Sequence, residues 1–286
     1  MERGMDGSMA GGRPLPFVKM SGTGNDFIII DHRKPLIDPG AQSAFARLVC
    51  RRKFSVGADG LILIEESEVA DFRWQFYNAD GSLAEMCGNG ARCAARFAFM
   101  HSIAPARMRF ETMAGIIEAE VVDIDVSVKM TEPGRAVLHR SLEVEDEKIL
   151  VHSVDTGVPH AVVFVDDIES MDVNWLGSLI RHHPEFAPAG TNVNFVHREE
   201  DGAFKVRTYE RGVEDETMAC GTGAAAAALV SAMLGETASP VEIITSGGDR
   251  LTIVFDLQSG NQASNVFLKG PAHMIYRGEL NAEALL

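Results

Sequence analysis

Glu85-Met86-Cys87-Gly88-Asn89-Gly90-Ala91 in the first half of the chain returns as Met218-Ala219-Cys220-Gly221-Thr222-Gly223-Ala224 in the second. Each phrase sets a cysteine ahead of a Gly-x-Gly-Ala step, and each step opens onto a run of small, helix-favouring residues. Two thiols presented twice by one local structure point to one site drawing on both halves. Other landmarks recur in the same order. Gly22-Thr23-Gly24-Asn25 precedes an apolar run that ends at Asp31, as Gly157-Val158-Pro159-His160 precedes one that ends at Asp166, and Gly57 precedes a run as Gly190 does. Measured from Gly22 to Gly157, Gly57 to Gly190 and Cys87 to Cys220, the spacings are 135, 133 and 133 residues. Order and spacing together imply a tandem duplication into two domains of about 130 residues, an ordinary domain size.

Composition narrows the function. A chain of 286 residues, 46% of them apolar, can bury a sizeable core and reads as globular. A formal net charge of −15, with no cluster of lysine and arginine, opposes binding to nucleic acid or to anionic membrane surfaces. No apolar run approaches the length of a membrane span, and the opening residues lack the apolar centre of a secretory signal. Residues 1–14, rich in glycine and methionine, are expected to be a disordered extension, with the fold beginning near Leu15 to Phe17. Four cysteines in a chain of this size need not be staples, and reduced thiols in a cytoplasm are expected. There is no CxxC pair and no HExxH, and the nine histidines are scattered, so no metal site is expected.

Short runs rich in Ile, Val and Phe, punctuated by Gly, Asn and Asp, predict strands at 27–30, 61–64, 72–76, 116–122, 125–130, 161–165, 194–196, 204–208, 241–245, 251–255 and 266–269. Helical patterns cover 41–51, 90–101, 171–182 and 223–234. The last opens on five consecutive alanines, so it must pack closely on every side, as a helix inside a curved sheet would. The fold class is therefore α+β (mixed α/β), with two pseudosymmetric domains from internal duplication, each a curved mixed sheet wrapped around a central helix. Glu132-Pro133-Gly134 is the expected boundary. It divides the chain into a first domain of 15–132, to which about 274–286 return, and a second of 133–273, whose repeat opens at Asp155 after a polar connection.

A cysteine just ahead of a helix lies where unpaired backbone N–H groups and the helix dipole favour an anion, which lowers a thiol's pKa from about 8.5 and makes the thiolate a usable base. The same N–H groups can hold a carboxylate, so Gly88, Asn89, Gly221 and Thr222 form two anion-binding nests. A carboxylate gripped by two helix ends, with a sulfur on each side of the adjacent carbon, describes inversion alpha to the carboxylate. One thiolate removes a proton from one face, the other thiol delivers one to the opposite face, and no cofactor is needed. Neither cysteine phrase has a lysine nearby for an aldimine, and there is no phosphate loop. Taken singly, a cysteine is more commonly a small buried residue, and Cys50 and Cys93, which lack the Gly-x-Gly context, are read that way.

The phrases Lys19-Met20-Ser21-Gly22-Thr23-Gly24-Asn25-Asp26-Phe27, Tyr77-Asn78-Ala79-Asp80-Gly81-Ser82, Met86 to Cys93 and Tyr209-Glu210-Arg211-Gly212 with Ala219 to Gly223 closely resemble the diaminopimelate epimerase family, over about residues 17–276. The resemblance implies a cofactor-independent homodimer that interconverts LL- and meso-diaminopimelate on the bacterial route to lysine and peptidoglycan. By position, Cys87 and Cys220 match the family's two catalytic cysteines. His160 and Glu210 match residues that tune the sulfurs, and Asn25, Asn78, Asn192, Glu210 and Arg211 match substrate contacts. Gly88-Asn89 and Gly221-Thr222 match the carboxylate-binding backbone, and Tyr276 matches a tyrosine associated with dimer contacts. Arg211 can take the distal carboxylate of such a substrate in a fork, while Glu210 and the asparagines take its ammonium. Gly60 and Val158 depart from the pattern, standing where some members place glutamine and asparagine, and the 212–217 loop is one residue longer than in some relatives. Rival readings are another cofactor-independent isomerase of the same fold, such as a proline or hydroxyproline racemase or a phenazine-pathway isomerase, a thiol redox sensor in which Cys87 and Cys220 pair, and an inactive amino acid binding module. The last would require one sulfur to be missing.

Overall fold

Residues 14–286 are described by a computed structural model, and the expectation for the N-terminal extension lies outside them. The chain divides into two units, residues 14–128 with Pro271–Leu286, and Lys129–Gly270. Both cuts fall a few residues before the expected ones, at Glu132-Pro133-Gly134 and near 274.

The first unit runs β1 (Leu15–Gly22), β2 (Asn25–Asp31), α1 (Gln42–Val49), β3 (Gly60–Glu65), β4 (Phe72–Asn78), α2 (Gly88–Met100), β5 (Arg107–Thr112), β6 (Gly115–Val122) and β7 (Asp125–Lys129). Strands β2 and β3 pair in parallel across α1, and β4 and β5 in parallel across α2, while β1–β2, β3–β4, β5–β6 and β6–β7 are antiparallel. The second unit repeats this wiring with β8 (Val137–Val144), β9 (Glu147–Asp155), β10 (Pro159–Phe164), α3 (Val173–Arg181), β11 (Asn192–Arg198), β12 (Phe204–Glu210), β13 (Asp215–Thr217), α4 (Gly221–Met233), β14 (Val241–Ile244), β15 (Arg250–Gln258) and β16 (Gln262–Pro271). Here β10–β11 and β12–β14 are the parallel pairs, and β13 folds back on β12. The last strand, β17 (His273–Leu280), pairs antiparallel along β1, so the two ends of the chain close the first unit.

The central strands read as unbroken apolar runs because helices cover both faces. On one face Ile28, Ile30, Leu61 and Leu63 pack with Phe45, Ala46 and Val49 of α1. Ala161, Val163, Val193, Phe195 and Tyr209 pack in the same way with Val173 and Ile180 of α3. The other face lies under α2 and α4, each of 13 residues. Helix α4 is buried from Gly223 to Ala232, as its run of alanines requires. The expected mixed fold with a central helix in each half is borne out.

Three expectations need correction. Residues 137–155 are not a polar connection but the hairpin β8–β9. Strands β1, β5, β8, β9, β13 and β17 carry no predicted run, because most leave one side exposed and interleave charged with apolar residues. Helices α2 and α4 begin two residues earlier than predicted, so the first glycine after each cysteine lies inside the helix. No helix among the described residues is long and apolar enough to cross a membrane.

Candidate active site

Cys87 and Cys220 are the N-cap residues of α2 and α4, each in extended backbone conformation. At Cys220 the backbone N–H of Gly223 donates to Sγ at 3.4 Å, and Thr222 Oγ1 lies 3.4 Å from the same sulfur. Thr156 Oγ1 donates to the Thr222 carbonyl at 3.0 Å and pins the first turn. Gly88 with Asn89, and Gly221 with Thr222, are the first two residues of their helices, where backbone donors have no partner within the helix. Both cysteines are half-buried, whereas Cys50 and Cys93 are buried thiols whose pKa burial pushes up to about 12.

In the first unit Asn25 and Asn89 form a pair, with Asn89 Nδ2 donating to Asn25 Oδ1 at 2.7 Å. Asn25 Nδ2 donates to Asp59 at 3.0 Å, and Arg52 bridges Asp59 to Asp26. Asp26 also takes an ion pair from the buried Lys19 at 2.8 Å. Burial alone would raise the Asp26 pKa, yet the hydrogen bonds from Lys19 and Arg52 hold it below the usual carboxylate range. On the other side of Asn89 lies Arg92, fully buried, which donates to Asn89 Oδ1 at 2.9 Å and to the Gly88 carbonyl at 3.3 Å, and also bonds Thr23 Oγ1. Sequence reading passed over Arg92, and its signal was a cation inside an otherwise small-residue helix face. Asn78 sits apart from this network at the exposed end of β4, where its amide donates to Ser82 Oγ at 3.0 Å in its own turn. Gly60 opens β3, and a Cβ there would lie 2.5 Å from the ring of Phe76.

In the second unit Asn192 ties two elements together. Its Nδ2 donates to the Pro159 carbonyl at 3.2 Å and its Oδ1 accepts from the Arg211 backbone N–H at 2.8 Å. The Arg211 guanidinium bonds the Ala189 carbonyl at 3.2 Å. Glu210 ends β12, and its Oε2 accepts from Thr217 Oγ1 of β13 at 2.9 Å. Burial raises the Glu210 pKa above the usual range, and the Thr217 bond opposes that only in part. The long 212–217 loop is thus a hairpin tip that brings Thr217 back to Glu210. His160 is buried, and burial, with the charge of Arg211 in support, lowers its pKa to about 3, so the ring is neutral. Its Nδ1 lies 3.1 Å from Asn194 Nδ2. Asn194 and Thr208, bonded to each other at 3.0 Å, were not singled out from sequence, because both look like ordinary strand residues there.

Tyr276 lies on β17, 44% exposed, with its ring edge-on to Phe17 at 5.9 Å. No cluster of three or more His, Cys, Asp or Glu side chains is arranged to hold a metal among the described residues.

Known proteins resemble this chain in sequence and in fold. The family model "Diaminopimelate epimerase" matches residues 17–136 and 152–275. A diaminopimelate epimerase of Aquifex aeolicus is 45% identical over 282 residues, covering 95% of this chain and 99% of that protein. Another, of Hydrogenobaculum, is 46% identical over 277 residues, covering 93% and 98%. Among solved structures, a phenazine biosynthesis protein of the PhzF family from Bacillus anthracis superposes with a TM-score of 0.73 at 14% identity, covering 94% of this chain and 99% of that one. A hydroxyproline epimerase from Agrobacterium vitis gives a TM-score of 0.67 at 15% identity, covering 96% and 94%, and like the first it speaks for the fold alone. On the sequence matches, which span both units and both cysteine phrases, the chain belongs to the diaminopimelate epimerase family.

Proposed function

We propose that this protein epimerises diaminopimelate, interconverting the LL and meso forms without a cofactor. The observation that carries the reading is the pair of cysteines, each capping a helix of 13 residues that opens with Gly-x-Gly in a repeated strand framework. A sulfur at such a position gains from the N-terminal end of the helix dipole when it is anionic. In the reaction one thiolate takes the alpha proton, the electron pair stays on carbon next to the carboxylate, and the other thiol returns a proton from the opposite face. The bases exchange roles in the reverse direction. Backbone N–H groups of Gly88-Asn89 and Gly221-Thr222 hold the reacting carboxylate. Arg211 and Glu210 answer the distal carboxylate and ammonium, with Asn25, Asn78 and Asn192 completing the polar lining. His160 and Glu210 tune the two sulfurs.

The substrate is a small molecule. The working form in this reading is a cytoplasmic homodimer with Tyr276 near the subunit contact, serving lysine and peptidoglycan synthesis. A neutral His160 supports its part, since a ring held uncharged is a donor at one nitrogen and does not compete for the abstracted proton.

The test is solvent deuterium incorporation, followed in LL-diaminopimelate and in L-proline. Incorporation into the first and not the second supports the reading, and incorporation into proline alone overturns it. Cys87→Ala and Cys220→Ala should each slow epimerisation by about 10²- to 10⁴-fold, the usual contribution of a positioned acid or base. Oxidation of the thiols should stop turnover and reductant restore it, whereas a redox sensor would keep its function when oxidised.

A further inference from the structure

The strand side chains beneath the two site helices match in register and differ in chemistry. In the first unit the ladders pair Phe27 with Gly60, Ile29 with Ile62 and Ile62 with Phe76. In the second they pair His160 with Asn192, Val162 with Asn194 and Asn194 with Thr208. His160, Asn194 and Thr208 therefore stand where the first unit has Phe27, Ile62 and Phe76. All six side chains are buried, from 0% to 5% exposed. The second glycine of each Gly-x-Gly step touches the same layer. A Cβ on Gly90 would lie 3.4 Å from Ile62 and 3.5 Å from Phe27, and one on Gly223 only 2.3 Å from Asn194 Oδ1.

The first unit demonstrates that this fold closes the layer with hydrocarbon alone, Phe27 and Phe76 meeting edge to face at 5.8 Å. An imidazole, a carboxamide and a hydroxyl buried in the same place carry a desolvation cost that their hydrogen bonds at best offset. The polar trio needs a reason beyond folding, and its geometry supplies one. Asn194 Nδ2 lies 2.8 Å from the Ala161 carbonyl oxygen, which can only accept, so the orientation of the amide is fixed. Its Oδ1 accepts from Thr208 Oγ1 at 3.0 Å, consistent with that orientation. The remaining Nδ2–H faces His160 Nδ1 at 3.1 Å. A ring nitrogen that accepts from an amide carries no proton of its own. The proton of the neutral ring is therefore on Nε2, which is buried and has no hydrogen-bond partner among the described residues.

We infer that Thr208 and Asn194 are positioning residues that lock His160 as the neutral Nε2–H tautomer, the form in which the proposed function has it tune a sulfur. The inference rests on the epimerase reading above.

Nitrogen-15 NMR of protein labelled at histidine tests it, with the His160 signals assigned by their loss in His160→Gln. Wild type should give a proton-bearing Nε2 and a bare Nδ1. Asn194→Asp, which puts an acceptor oxygen against Nδ1, should move the proton to Nδ1, and Asn194→Leu should leave a mixture. A hydrogen bond to a charged group contributes about 10- to 100-fold in rate terms, so Asn194→Leu should lower kcat by that factor with KM little changed. Thr208→Val should fall further than Thr208→Ser, which keeps the hydroxyl. A wild-type spectrum with the proton on Nδ1, or an unchanged kcat in Asn194→Leu, overturns the relay. The wild-type spectrum needs only His160→Gln for its assignment, and it judges the tautomer even if wild type fails to exchange deuterium into LL-diaminopimelate, a result that would sink the epimerase reading instead.

Discussion

His160 holds its proton far more weakly in the fold than in the unfolded chain, with a pKa lowered from 6.5 to about 3 by burial and then by Arg211. His152, buried beside His139, is lowered to about 4, again mainly by burial. When a group's folded pKa is depressed, the unfolded state binds the proton first as pH falls, so stability is kept above the unfolded pKa and lost below it. Stability should therefore fall from about pH 6.5 towards pH 4, before the carboxylates held by arginine and lysine begin to titrate. Urea titrations across that window check it. His160→Phe, which installs the residue of the first unit, should flatten the decline by a few kcal/mol at most, with roughly 1.4 kcal/mol per pKa unit as the scale. An equally steep decline in that variant would contradict the assignment to His160. A second prediction concerns sulfur. Burial raises Cys50 and Cys93 to about 12, which leaves almost no thiolate at neutral pH, while Cys87 and Cys220 are half-buried at helix starts. After reduction, iodoacetamide at neutral pH should label Cys87 and Cys220 and spare the other two, read by mass spectrometry of the peptides.

Helix starts give the next scale its sharpest contrast. A Cβ added to Gly88 meets nothing within 4 Å, whereas one added to Gly223 would collide with Asn194 Oδ1 at 2.3 Å. Gly88→Ala should fold with unchanged or slightly raised Tm, since alanine is favoured over glycine in a helix by up to about 1 kcal/mol, yet bind substrate less well if the Gly88 N–H group grips a carboxylate at close range. Gly223→Ala should lose about 1–3 kcal/mol, the usual range for overpacking, and disturb the Asn194 relay with it. Thermal melts and KM for both variants separate the two effects, and an unstable Gly88→Ala would remove the ligand-approach explanation. The same elements account for what the sequence disclosed. Strands such as β2 and β3 announce themselves because both faces are covered, and α4 because five alanines leave it no exposed large side chain. Strand β5 was lost because Met108, Phe110 and Thr112 alternate with Arg107, Arg109 and Glu111, a pattern of period two that a search for apolar runs passes over. The cysteines were legible from a repeated phrase. Asn194 and Thr208 were not, since their meaning lies in the pairing of β10, β11 and β12, which no local pattern encodes.

Across the whole molecule, duplication has been followed by specialisation. Each unit keeps its own core, one around α1 and one around α3, and an equivalent order of parallel and antiparallel pairings. The layer under α4 is polar where its counterpart under α2 is apolar, and the two caps differ as well, since the Cys220 sulfur accepts from the Gly223 N–H while the Cys87 side chain makes no such capping bond. The halves differ also in how they close. The second is continuous in sequence, but the first depends on β17 returning to β1, with Leu280 opposite Leu15 in the ladder and both in the core with Phe17. Leu280 is 2% exposed, and truncating a side chain so buried costs about 2–5 kcal/mol. Leu280→Ala should therefore weaken the first unit selectively. Hydrogen exchange resolved by peptide should show amides of β1 to β4 losing protection while those of β9 to β12 keep theirs. Equal loss in both units would mean that the closing strand supports the chain as one cooperative body, and that the duplicated halves no longer hold their stability separately.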